Sequence, residues 1–267
     1  DDNMDGVEEH SRGFEQWSNK ALEILESLGV KPHAISLDEA EDNYEYVVNY
    51  CAKKKAGCSE WRGLLMAADH MASALETECE MPLNKLFIKP DLSFYNRKSE
   101  LYPLSMISAD SNKKHTLVTA PTGAGKTDFL LRRCRGRVFY TLPFQASINA
   151  MYDRIKNDLS DTDAQVHLLH AASNLKVVSG TVEESIMQRH VGASIKILTP
   201  HQMASVVFGI KGYEAMAMDL RGCDVILDEI HTYSDAMQSI VLRIIEILVA
   251  LNCRVHVGTA TMPTVLY

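Results

Sequence analysis

Thr116-Leu117-Val118-Thr119-Ala120-Pro121-Thr122-Gly123-Ala124-Gly125-Lys126-Thr127 decides the fold. A short β-branched run, Leu117-Val118, enters a loop with two glycines. The loop ends in Lys126-Thr127 and opens a helical stretch, Asp128-Phe129-Leu130-Leu131. Strand, loop and helix with Gly-Lys-Thr at the join is the layout of a phosphate-binding P-loop. Gly123 and Gly125 let the backbone curl so that its N–H groups face inward as an anion nest. The helix beginning near Lys126 adds its positive N-terminal dipole. Ala120, Pro121, Thr122, Gly123, Ala124, Gly125, Lys126 and Thr127 are therefore the expected nucleotide-binding residues. Lys126 is expected to reach the β- and γ-phosphates, and the Thr127 hydroxyl to ligate magnesium. Ala120 stands where this motif usually has its first glycine.

Outward from the loop, the pattern is strands alternating with helices. Expected strands are 115–120, 137–142, 165–170, 194–199, 223–228 and 255–259. Expected helices include 126–134, 144–158, 202–209 and 235–251. Near-continuous apolar strands with crossover helices imply α/β architecture: a parallel sheet covered by helices on both faces. Ligands of such sheets bind beyond the carboxyl ends of the strands. The second half of a nucleotide site is expected at Val225-Ile226-Leu227-Asp228-Glu229-Ile230-His231, about a hundred residues on. An apolar strand ending in paired carboxylates suits a magnesium ion on phosphates. Asp228 would hold the metal, Glu229 would orient and deprotonate the attacking water, and His231 would sense the γ-phosphate.

Residues 1–90 read as helical. Phe14, Trp17, Ala21, Leu22, Ile24 and Leu25 recur at helical spacing with Gly29 as a stop. A second helix is expected over 38–54. A third, over 60–75, has Trp61, Leu64, Leu65, Ala68 and Ala72 on one face. Residues 91–112, which include Pro103, read as a connector, and 113–267 as the α/β domain. The chain has 267 residues and a net charge of −8, with 46% hydrophobic and 23% charged residues. Residues 1–100 carry 11 Lys/Arg against 20 Asp/Glu, a net of −9, and 101–267 carry 16 against 15. That split supports two units with different surfaces. No apolar stretch reaches the ~18 residues of a membrane span, and the acidic N-terminus is unlike a signal peptide. Cys51, Cys58, Cys79, Cys134, Cys223 and Cys253 form no C-x-x-C, so reduced thiols in a cytoplasmic protein are expected.

Asp228-Glu229-Ile230-His231 resembles the DExH box of superfamily-two helicases. Thr259-Ala260-Thr261 resembles their Ser/Thr-Ala-Thr motif, which couples ATP state to nucleic acid. Thr141-Leu142-Pro143-Phe144-Gln145-Ala146 and Thr199-Pro200-His201-Gln202 resemble their two backbone-contact motifs. Pro143, Phe144, Gln145, Thr199, Pro200, His201 and Gln202 are thus the expected nucleic-acid residues. Together with Asn149-Ala150-Met151 and Leu169-His170, these motifs resemble the CRISPR-associated helicase–nuclease of type I systems. That family joins an HD nuclease domain to a RecA-like helicase core. Leu65-Met66-Ala67-Ala68-Asp69-His70-Met71-Ala72-Ser73 resembles its last HD motif, which implies Asp69 as a metal ligand. His10-Ser11-Arg12-Gly13 faintly resembles its His-His-Gly element, with Ser11 replacing one His and His10 the implied ligand of a divalent transition metal. The leading His and His-Asp ligands of an HD site are absent.

The resemblance implies an ATP- and magnesium-dependent translocase on single-stranded DNA, recruited by a CRISPR surveillance complex. The sequence stops just after Thr-Ala-Thr, so it reads as a fragment without the second RecA-like domain and its arginine finger. Weak nucleotide binding and poor hydrolysis are expected of it alone. Two other readings stay open. One is a non-motor interaction module that binds a partner through the helical region, and the other is a small-molecule P-loop kinase.

Overall fold

A computed structural model describes residues 13–53, 59–75, 86–169, 191–210 and 212–262. It divides into two compact units, Asp1–Gly57 and Cys58–Tyr267. His10 and His170 lie outside the described residues.

The first unit holds α1 (Phe14–Ser27) and α2 (Leu37–Lys53). Helix α1 stops where the sequence supplies Gly29, at φ +78°, and Val30 N donates back to Leu25 O at 3.0 Å. Helix α2 starts with a capping box. Glu39 N donates to Ser36 Oγ at 3.1 Å, and Ser36 N donates to Glu39 Oε2 at 2.9 Å.

The second unit is built on a six-stranded sheet. Its strands are β1 (Thr116–Thr119), β2 (Val138–Thr141), β3 (Val166–Leu168), β4 (Ile195–Leu198), β5 (Asp224–Asp228) and β6 (Arg254–Thr259). The order is β1-β6-β5-β2-β4-β3, and every pairing is parallel. Its helices are α3 (Glu60–Leu75), α4 (Lys126–Arg133), α5 (Gln145–Asp158), α6 (Pro200–Phe208), α7 (Tyr213–Leu220) and α8 (Asp235–Ala250). Side chains alternate across each strand, so the central strands β2, β4 and β5 feed two cores. Phe139, Val225, Leu227 and Val255 join the core that Met203, Met216, Val241 and Ile244 complete from α6, α7 and α8. Val138, Tyr140, Ile195, Ile197 and Ile226 face the core completed by Leu130, Leu131, Ile148 and Ile155 from α4 and α5. This is the RecA-like α/β architecture expected.

Helix α3 lies on α7, and its small residues make the contact. Gly63 and Ala67 are buried, whereas Trp61, Leu64 and Leu65 are exposed. A Cβ at Gly63 would stand 2.5 Å from the Glu214 carbonyl oxygen, so only glycine permits this approach. Arg62 pairs with Glu214 at 3.4 Å, and Glu60 pairs with Arg221.

Two buried charge clusters lie toward the amino ends of the strands. Asp219 pairs with Lys196 and, at 2.7 Å, with Arg137, and it accepts from Gly192 N at 2.9 Å. Asp224 accepts from Arg254 Nε, His256 Nε2, Arg135 N and Gly136 N at 2.6–2.9 Å. Burial pushes both carboxyls toward the neutral form. At Asp219 the charges of Lys196 and Arg137 outweigh it, and at Asp224 the hydrogen bonds from His256 and Arg254 do, so both pKa values end lowered. Stability from such groups is complete above the unfolded carboxylate pKa and is lost as pH falls toward the folded value. Circular-dichroism melts of the chain should therefore show a melting temperature that falls steeply below about pH 4. A melting temperature held constant down to pH 3 would exclude this linkage.

Candidate nucleotide and nucleic-acid site

The parallel order fixes the site. Strand β6 lies between β1 and β5, so the P-loop after β1, the Thr259 turn after β6 and the Asp228-Glu229 turn after β5 stand in a row at one sheet edge. Gly123 and Gly125 adopt φ +82° and +88°, the left-handed turns that curl the loop. Lys126 is buried beneath it. Its Nζ donates to Ala120 O at 2.9 Å and Pro121 O at 3.2 Å, and stands 4.0 Å from Glu229 Oε1. The loop opens on a cleft of about 600 Å³ lined by Thr122, Gly123, Lys126, Thr127, Asp228 and Glu229, with Arg97, Tyr102 and Arg154 on its outer wall. The curled loop, the inward ammonium and the roomy cleft fit a polyphosphate.

Asp228 ends β5 and is buried. Its Oδ2 accepts from the Tyr140 hydroxyl at 2.6 Å, and its Oδ1 from Glu229 N at 2.9 Å. The Thr127 side chain lies beside the same Tyr140 hydroxyl, so the two expected magnesium ligands converge on one side chain. Burial raises the Asp228 pKa, with a further push from Glu229. A carboxylate so placed gains most from a cation beside it, and the hydroxyl-and-carboxylate donor set suits magnesium.

Glu229 sits at φ +56°, a left-handed backbone uncommon for a residue with a side chain. The following 3₁₀ turn, Ile230–Thr232, carries His231 back over the site. His231 Nδ1 lies 3.1 Å from Thr259 Oγ1 and 3.4 Å from Glu229 Oε2. Thr259 Oγ1 donates its hydrogen to Thr261 O at 2.5 Å. It can therefore only accept from His231, which places the ring proton on Nδ1. Ala120 N donates to Thr259 O at 3.1 Å. Thr259 thus touches both the P-loop backbone and His231, while Ala260 and Thr261 continue the turn outward.

The nucleic-acid candidates divide. Phe144, the N-cap residue of α5, and Gln145 are exposed, Pro143 is half-buried, and His201 is exposed. Thr199 caps α6 in a capping box with Gln202. Pro200 and Gln202 are buried, and the Gln202 amide donates to Leu169 O at 3.0 Å. These two shape the turn rather than present themselves at its surface.

Asp69 is exposed on α3, apart from any group of potential metal ligands among the described residues. The cluster with metal-like spacing is Cys134, Asp224 and His256, all buried. Asp224 is already saturated by Arg254, His256 and two backbone N–H groups, and Cys134 Sγ donates to Leu130 O. The cluster is a structural charge network.

Sequence reasoning missed two kinds of residue. Tyr140 read only as strand, although its inward alternation with Val138 was visible. Gly258 read only as strand interior, yet a Cβ there would stand 2.6 Å from Asp228 Oδ1 and 2.7 Å from Leu130 Cδ1. A glycine next to the threonine that ends a buried strand was the available signal.

The sequence profile of the DEAD/DEAH box helicases matches residues 103–267. The chain belongs to the DEAD/DEAH box helicase family. Within it, this DEAD/DEAH box chain is 26% identical over 214 residues to the CRISPR-associated nuclease/helicase Cas3 of Methanothermobacter thermautotrophicus, a match that covers 75% of this chain and 26% of that protein. The fold is shared with T. fusca Cas3 bound to ADP, at a TM-score of 0.54, 18% identity, 86% of this chain and 29% of that one. For the AMPPNP complex the values are 0.53, 19%, 73% and 26%. The helicase chain thus spans about a quarter of the length of the relative it matches.

Proposed function

We infer that this chain is the first motor domain of an ATP-driven translocase on single-stranded DNA, acting in CRISPR interference and recruited by a surveillance complex in the cytoplasm. The observation that carries the reading is the row formed by Lys126, Thr259 with His231, and Asp228-Glu229. The end of β6 ties the phosphate loop to the acidic turn: Thr259 O accepts from Ala120 N, and Thr259 Oγ1 meets His231 Nδ1. The Cas3 likeness supports the CRISPR assignment. No helix among the described residues is long and apolar enough to cross a membrane.

The residues act as follows. The P-loop N–H groups and Lys126 bind the β- and γ-phosphates of ATP. Thr127 and Asp228 would hold magnesium, whose charge neutralises the phosphates. Glu229, whose carboxylate lies within 4.0 Å of the Lys126 ammonium, orients the attacking water and takes its proton. His231, fixed by Thr259, carries the state of the γ-phosphate into the Thr259–Thr261 turn. The exposed Phe144–Gln145 and His201 turns meet the DNA backbone, where helix N-termini suit phosphates rather than base edges. Asp69 and His10 carry no step of this reaction.

Catalysis requires a second RecA-like domain facing this cleft. An opposing arginine is worth about 10³–10⁵ in rate in related NTPases. The 267 residues are therefore expected to bind fluorescent ADP with magnesium but to release phosphate slowly, with or without single-stranded oligonucleotide. Rapid DNA-stimulated hydrolysis by this chain would overturn the shared-site reading, and failure to bind any nucleotide would overturn the motor reading.

A further inference from the structure

Arg154 is unexplained by the phosphate loop, yet it lines the cleft beside Lys126, Thr127, Asp228 and Glu229. It comes from α5, the helix whose first turn follows the exposed Phe144. Ten residues of α-helix separate Phe144 from Arg154, about 15 Å along one rigid rod. Ile148 and Ile155 anchor that rod in the sheet core.

Arg154 stands between two carboxylates. Its Nη2 pairs with Asp128 Oδ1, and its Nε lies 3.6 Å from Asp158 Oδ2, one turn along its own helix. Asp128 follows Thr127 directly and opens α4. Its other oxygen accepts from Arg97 Nε and Nη2, both at 3.1 Å, and Arg97 in turn lies over the Phe94 ring at 4.4 Å. Arg97 thus holds the Asp128 carboxylate from one side while Arg154 holds it from the other. The Arg154 side chain is 40% exposed, open enough to exchange partners. A third anion entering the cleft, a nucleotide phosphate, competes with both carboxylates for the same guanidinium.

We propose that Arg154 is a positioning residue that links nucleotide occupancy to the DNA-facing end of α5. Phosphates in the cleft redistribute Arg154 among Asp128, Asp158 and the nucleotide. The helix transmits that change to the Phe144–Gln145 turn. By thermodynamic reciprocity, DNA on that turn changes nucleotide affinity by the same factor. The inference rests on the motor reading above.

The test is a ratio. The dissociation constant of fluorescent ADP with magnesium is measured on the full 267-residue chain, with and without saturating oligo-dT. The wild-type ratio is expected to be about fivefold or more, the lower range of ordinary coupling. Arg154→Ala should bring it to within twofold of one. Arg154→Lys keeps the charge but loses the planar fork that spans two carboxylates, and should restore less than half of the coupling. A purely structural role would shift both affinities together and leave the ratio intact, so an unchanged ratio in Arg154→Ala overturns the proposal. A wild-type ratio of one overturns the DNA-coupled motor reading and this inference with it. Circular dichroism of each variant confirms that the ratio is read on folded protein.

Discussion

Lys126→Ala is expected to abolish measurable nucleotide binding. The Lys126 ammonium is buried inside the loop and donates to the Ala120 and Pro121 carbonyls at 2.9 and 3.2 Å. Of the other cations on the cleft wall, Lys98 is exposed, and Arg97 and Arg154 are half-exposed and committed to Asp128. None can reach beneath the loop in its place. Losing one partner of a desolvated charge pair costs about 2–5 kcal/mol, or about 30-fold to more than 1,000-fold in affinity. Stability should change little, because the two carbonyls belong to a loop that water reaches. Arg at this position should not rescue binding, since a planar guanidinium is larger than the compact ammonium it replaces. Titration of a fluorescent nucleotide reads both variants, and affinity within threefold of wild type would place the nucleotide elsewhere on the chain.

Gly258→Val is the second large effect, and it acts on the opposite side of the site. Even the first carbon of a side chain would stand 2.6 Å from Asp228 Oδ1 and 2.7 Å from Leu130 Cδ1. Both neighbours are buried, and the branched valine widens the overlap. The Leu130 methyl has the core of α4 behind it, so the carboxylate must move. Overpacking of this kind costs about 1–3 kcal/mol of stability. The displaced carboxylate also leaves the Tyr140 hydroxyl and Glu229 N, whose 2.6 and 2.9 Å bonds fix the metal-facing geometry. Magnesium-dependent nucleotide affinity should drop about tenfold or more, whereas magnesium-independent affinity should drop less. Thermal melts and nucleotide titrations with and without magnesium separate the two. Equal losses in both titrations would show that Asp228 has no metal role.

The sheet was readable in the sequence because its strands are apolar on both faces and its loops carry chemistry. Observed strands fall within two residues of the expected spans, as 116–119 against 115–120 and 224–228 against 223–228 show. The P-loop and the acidic turn were equally plain, since spacing and residue type fix their geometry. Helix α7 was harder, because Glu214 and Asp219 look like surface residues. They are buried only because Arg62, Arg137 and Lys196 arrive from distant segments. Gln202 illustrates the same limit, because a polar residue in a strand-to-helix turn reads alike whether it faces DNA or closes a capping box. Arg154 gave only the local signal of an i,i+4 pair with Asp158: its other partner, Asp128, is 26 residues away and meets it only once the sheet is wound. Helix α3 inverted the usual expectation. Its bulky stripe is outside, and its contact face is defined by a missing side chain.

That missing side chain at Gly63 turns a helix contact into a keyed joint. Two helices separated by ordinary side chains can slide or roll by exchanging rotamers. Here the Glu214 carbonyl occupies the space where a Cβ would be, so rolling α3 in either direction brings a neighbouring Cβ against the Glu214 backbone. Asp69, six residues on, lies about 120° around the axis from Gly63 and points clear of the joint. The outer stripe of Trp61, Leu65 and Asp69 therefore has a fixed bearing on the parallel sheet. Whatever rests on that stripe is carried by the α/β sheet as cargo bolted to its frame and cannot swivel independently of it.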